Sequence, residues 1–153
     1  MLKNKNKKKK GFTLIELVIV LAVLAIIALI AIPNFTRVRN NALVQADRTS
    51  EEQITNIIQT AIAEGAINPV IGTEYTIDIT VTGRGTTKTV TANLSDDTIY
   101  GTVGTETFSD TVLAAQHLRD IDAPQVAGTT GYEVTIAAAD GSVTTTTVGA
   151  TTP

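Results

Sequence analysis

At 153 residues the chain has room for one small domain and an extension. It has no cysteine, which excludes a disulfide framework and thiolate chemistry. The net charge of −3 hides a segregation: Lys3, Lys5, Lys7, Lys8, Lys9 and Lys10 all precede Gly11, and all 15 acidic residues follow it. A chain starting at Phe12 would hold six basic against 15 acidic residues, a net of −9. The lysine run has no interleaved aromatics and no folded face, so nucleic-acid binding has little support.

Residues 1–11 read as a leader, with the lysines fixing the N-terminus on the cytoplasmic side of a membrane by the positive-inside rule. Residues 12–33 form a hydrophobic helix. From Phe12 to Ile32 the only polar side chains are Thr13 and Glu16, and 21 helical residues rise about 31 Å, the thickness of a bilayer's hydrocarbon core. An ordinary secretory signal peptide, cut after Ala28 or Ala31, is the competing reading. Its apolar region usually spans about 7–15 residues and ends in a polar stretch, whereas this one is longer and runs into Pro33. Ala22, Ala25, Ala28 and Ala31 wind around the helix and serve either close helix approach or simple filling of an apolar span. Pro33 lacks a backbone donor, so a kink or loosening is expected there.

Residues 34–65 continue as an amphipathic helix. Ile54, Ile57, Ile58, Ala61 and Ile62 follow the i, i+3, i+4, i+7, i+8 stripe of a helix laid on a core. Gly65 suits a C-cap, and Pro69 forbids continuation. One helix over residues 12–64 would be roughly 80 Å long. Its first half has nothing in its own chain to pack against and needs lipid or other subunits.

Residues 66–153 read as a globular antiparallel β domain. Tyr75, Ile77, Ile79 and Val81 alternate with polar residues. Gly83-Arg84-Gly85 turns the chain into a second run, Thr86–Leu94, with Val90, Ala92 and Leu94 on one face. Ser95-Asp96-Asp97 is a turn before a short strand around Ile99–Val103. Ser109 or Asp110 caps a short helix, DTVLAAQHLRDI, ending before Pro124. Tyr132, Val134 and Ile136 alternate again, and Asp140-Gly141 signals a hairpin into Ser142–Val148. The tail from Gly149 is read as loose.

Enzyme chemistry finds no footing. His117 stands on a short helix without an identifiable acid–base partner, and no nucleophile elbow or phosphate loop is present. No cofactor is expected. Asp96-Asp97 and Asp120-x-Asp122 each offer a hard cation two oxygen ligands, against the roughly six to eight that calcium takes, so turn and helix-end roles explain them better. Thr144–Thr147, Thr151 and Thr152 could carry O-linked sugar, although β-propensity accounts for them. Glu16 is the exception. A carboxylate well inside a bilayer costs on the order of 2.5–3.5 kcal/mol, less near the interface, and its own apolar segment supplies no cation. Cutting between Gly11 and Phe12 would create a positive amine four residues before Glu16, within one helical turn or within reach of a neighbouring subunit's Glu16.

Gly11-Phe12-Thr13-Leu14-Ile15-Glu16-Leu17, the apolar run to Ile32 and Pro33-Asn34 resemble the N-terminus of a type IV prepilin with its class III signal peptide. The close match covers about residues 7–40; the remainder resembles the family only in plan. The resemblance implies an α+β pilin fold, with the hydrophobic half of a long helix protruding and its amphipathic half packed on an antiparallel sheet. It implies cleavage between Gly11 and Phe12 by prepilin peptidase, an integral-membrane aspartyl enzyme, and N-methylation of Phe12. It further implies that Glu16 pairs with the Phe12 amine of an adjoining subunit. Pro33 would mark where the helix bends or melts. The partners would be further pilin copies, with an assembly ATPase acting through a platform membrane protein. Many pilins close a C-terminal loop with a disulfide; here, as in cysteine-free Gram-positive pilins, strand pairing over Tyr132–Val148 would hold it.

The expected product is a non-enzymatic pilus subunit. It would be a single-pass membrane precursor with a cytoplasmic N-terminus, then part of an extracellular filament for adhesion, twitching motility or biofilm. A type II secretion pseudopilin is the alternative, although its usual Arg-Tyr-Pro segment and calcium loop are missing from the sequence. A single-pass membrane-anchored surface protein is the other.

Overall fold

The structure is a computed structural model, and it describes residues 11–82, 88–103 and 106–149. The Gly83-Arg84-Gly85 turn and the tail beyond Gly149 lie outside the described residues. The chain divides into two units, with the boundary between Arg39 and Asn40.

In the first unit, Gly11–Thr13 are non-helical and helix α1, Leu14–Ala63, begins. Every described side chain up to Arg39 is exposed. The most apolar 18-residue window of α1 has a mean hydropathy of 3.2 with none of it buried, so the helix is long and apolar enough to cross a membrane. Pro33 lies inside α1 without ending it. The ring removes one backbone donor from the ladder, and nearby Thr36 returns its hydroxyl to the Ile32 carbonyl at 3.2 Å.

In the second unit, α1 buries Asp47, Ser50, Ile54, Ile58 and Ala61 along one stripe. Ile57 and Ile62 are partly buried at its margins. The helix stops where Gly65 takes φ +76. Gly65 N–H donates to the Ile62 carbonyl at 3.1 Å and Ala66 N–H to Ala61 at 2.8 Å, the paired bonds of a Schellman motif. Ala61 and Ala66, the residues that meet across that motif, are both buried.

Among the described residues six strands follow: β1 Tyr75–Thr82, β2 Thr89–Leu94, β3 Thr102–Val103, β4 Glu106–Thr107, β5 Thr129–Ile136 and β6 Val143–Gly149. The main sheet has the order β2-β1-β5-β6 and every pairing is antiparallel. In register Ile77 meets Leu94 and Val134, and Ile79 meets Ala92 and Tyr132. The alternation therefore delivers Ile77, Ile79, Tyr132, Val134 and Ile136 to one face, where they join Ile54 and Ile58 in a single core. Gly131 sits on the other face, and a Cβ there would collide with the Ile79 carbonyl oxygen, so this pair of strands closes only over glycine.

Two expectations are corrected. Ile99 does not belong to a strand. Asp96 caps a 3-10 turn over Asp97–Ile99 by accepting the Thr98 N–H at 2.9 Å, and β3 starts only at Thr102. The helix after Ser109 is also shorter than its sequence suggests. Ser109 caps α2, Asp110–Val112, which opens into a π-turn over Leu113–His117. The wider turn closes with Leu118 N–H on the Leu113 carbonyl at 3.0 Å and lets both leucines enter the core, with Ile121 following from a bend.

Tyr100 OH donates to Asp110 Oδ1, which also accepts the Leu94 N–H at 3.0 Å. Burial, and then the Asp110 contact, pushes the Tyr100 phenol above its ordinary range; burial chiefly raises Tyr132 as well. The unfolded phenol ionises near pH ~10. These raised values leave stability intact below that pH and erode it above, because the unfolded chain releases protons the fold retains. Tyr100→Phe should cost about 1–2 kcal/mol at neutral pH yet flatten the alkaline decline, leaving the Tyr132 part. Pulse proteolysis of the full chain in detergent across pH 7 to about 11 reads both effects.

Candidate processing and assembly site

Phe12 is 87% exposed, and Gly11 before it is exposed as well. Gly11 has no positive φ, and a Cβ built on it meets nothing within 4 Å. Among the described residues nothing therefore requires glycine there. Thr13 caps α1. Glu16 N–H donates to Thr13 Oγ1, and Thr13 N–H donates to Glu16 Oε2, each at a long 3.4 Å. This reciprocal pair is a capping box, and the Glu16 carboxylate also lies in the first turn, where the helix dipole favours negative charge. The Thr13-x-x-Glu16 spacing ahead of an apolar run carries that signal. Glu16 thus has a local partner before any cleavage, which lowers the cost of keeping a carboxylate at the edge of an apolar span.

The second part of the site is a row of polar side chains on α1, four residues apart, that fastens the helix to the domain. Asp47, only 4% exposed, accepts the N–H of Gln125 at 2.6 Å and of Val126 at 3.0 Å. Glu51 accepts the N–H of Thr147 at 2.8 Å, and Thr55 and Thr145 share a hydroxyl hydrogen bond of 2.7 Å. The apolar stripe points to Ile54–Ile62 and is silent on this row. Its signal is a polar residue on the same face as Ile54 and Ile58. Asp47→Ala would strand two half-buried N–H groups and should cost about 2–3 kcal/mol. Chemical denaturation of the full chain in detergent reads that loss.

The remaining candidates have structural surroundings. His117 packs on Phe108 with ring centroids 5.2 Å apart, and Phe108 on Tyr100 at 5.7 Å. Asp120 faces Arg119 at 3.6 Å and Asp122 faces Lys88 at 3.9 Å. The Thr98 hydroxyl and N–H hold the Asp96 carboxyl below its ordinary range. Among the described residues no group of three or more His, Asp or Glu could hold a metal ion. Thr145 is half-buried against α1, whereas Thr144 and Thr146 are exposed or nearly so.

An exposed apolar helix with a capped N-terminus and a four-stranded antiparallel sheet make the α+β arrangement of a pilin-like protein. Residues 6–32 match the family described as the prokaryotic N-terminal methylation motif. The chain is 32% identical over 121 residues, 79% of its length and 74% of the relative's, to "Prepilin peptidase-dependent protein A" of Clostridium perfringens (strain 13 / Type A). No solved structure matches it significantly. The chain belongs to the type IV pilin-like family.

Proposed function

We propose that this protein is the precursor of a type IV pilus subunit. It waits in the membrane as a single span with its lysines cytoplasmic. Prepilin peptidase cuts between Gly11 and Phe12, and the new Phe12 amine is methylated. The apolar helix then leaves the lipid and packs against the helices of other copies, displaying residues 66–153 outside. Glu16 passes from its own cap to the Phe12 amine of an adjoining subunit. An assembly ATPase working through a platform membrane protein drives the transfer. Pro33, with one ladder bond already missing, is where the helix bends or melts during it.

The observation that carries this reading is the uninterrupted exposure of α1 through Ala42, because apolar surface on that scale requires a partner in lipid or protein. The sheet supports helix-mediated joining over strand exchange. Its edge strands are β2 and β6, and each has a backbone donor taken by a carboxylate: Leu94 N–H by Asp110 and Thr147 N–H by Glu51. Immunogold electron microscopy with antibody against the β domain tests the proposal. Label along surface filaments is expected; label on the cell body alone favours an anchored surface protein, and label confined to the envelope favours a pseudopilin.

A further inference from the structure

The charge segregation persists after the leader is removed. From Phe12 to Arg39 the charged side chains are Glu16, Arg37 and Arg39, whereas residues 40–153 hold 14 acidic against four basic ones. Arg37 and Arg39 are exposed and make no salt bridge with a described residue. Arg37 only donates to Asn34 Oδ1 at 2.8 Å. Exposed Phe35 and Val38 interleave with them, so this stretch continues the apolar face proposed above as the assembly surface.

The opposite charge collects at the far end of the same helix. Glu64 is exposed directly beyond Ala63, and the last turn of α1 has no basic residue. A carboxylate there sits against the negative pole of the helix, where a cation is favoured. The Asp96–Gly101 segment folds back onto this end. Asn68 N–H donates to the Ile99 carbonyl and Gly101 N–H to the Ala66 carbonyl, both at 2.8 Å. A Cβ at Gly101 would strike the Gly65 carbonyl oxygen. Glu64, Asp96 and Asp97 thus share one end of the domain, and none forms a salt bridge with a described residue.

We infer that a second copy of this chain docks its Arg37–Arg39 stretch against the acidic helix end formed by Glu64, Asp96 and Asp97. The inference rests on the pilus reading and specifies which neighbour the helix meets. Charge complementarity and continuity with the apolar assembly face select the occupant. The contact joins unlike surfaces, so it can repeat from copy to copy, and it generates a filament where the repeat does not close into a ring.

The test uses the full chain in its host. R37E/R39E should be cut normally, yet yield about tenfold fewer filaments or worse, through like-charge repulsion. Adding E64R/D97R should restore them. Wild-type filament yield from R37E/R39E overturns the contact, as does rescue by D78R/E133R on the outer sheet face in place of E64R/D97R. A second measurement exploits the cysteine-free background. R39C/E64C filaments treated with a short bis-maleimide should give a ladder of multimers that neither single variant gives. A crosslink within one copy leaves the mass of a monomer, so a ladder of multimers reports contact between copies. Filaments without a ladder overturn the contact and leave the pilus reading standing. A wild-type chain that forms no filament removes that reading and the contact with it.

Discussion

Replacing Gly11 with leucine should abolish cleavage and leave the full-length precursor in the membrane, with mature protein falling at least about a hundredfold. The structure makes this substitution a clean probe. The Cβ position of Gly11 is open among the described residues and its φ is not positive, so the larger residue strains none of them. A loss of processing then points to the complex with the peptidase. Gly11→Ala should be cut more slowly than wild type but faster than Gly11→Leu. Immunoblotting precursor against mature chain reads the series. A normal mature band from Gly11→Leu would show that the glycine has no role in processing.

The second large effect concerns Glu16, where local and intermolecular roles can be separated. Glu16→Gln keeps a side chain able to complete the capping box with Thr13, because glutamine serves that position as glutamate does. It removes only the charge. Glu16→Ala removes both. If the carboxylate acts by pairing with the Phe12 amine of a neighbour, the two variants should insert at least as well as wild type and assemble equally poorly, with filament yield down about tenfold or more. If capping is what matters, Gln should assemble and Ala should not. Quantifying sheared filaments beside the membrane fraction distinguishes these outcomes, and wild-type yield from Glu16→Gln would remove the ion pair from the mechanism.

Much of this architecture can be read from residue patterns because the patterns are physical. Ile54, Ile58 and Ala61 recur at helical spacing and are buried together, and Tyr75–Thr82 alternates because one face of β1 meets the core. Gly65 terminates α1 because the chain needs a left-handed residue there. Strand order is not legible, since alternation assigns each strand a face but not a neighbour. Ile99 misleads for a related reason: burial alone does not distinguish a strand from a 3-10 turn when the apolar run is short. Leu113 and Leu118 reach one core through a π-turn that α-helical periodicity does not anticipate. At the site, Gly11, Phe12 and Glu16 are conspicuous in the sequence. The Asp47, Glu51 and Thr55 fastenings are hidden, because their partners at Gln125, Val126, Thr145 and Thr147 lie 78–96 residues away.

The central claim is that the chain exists in two successive states, a membrane precursor and a cut subunit whose α1 is packed among other copies. Intact-mass measurement and N-terminal sequencing of protein sheared from the cell surface test it most directly. A chain beginning at N-methylated Phe12, lacking residues 1–11, is the predicted result. A surface chain beginning at Met1, or after Ala28 or Ala31, would contradict it.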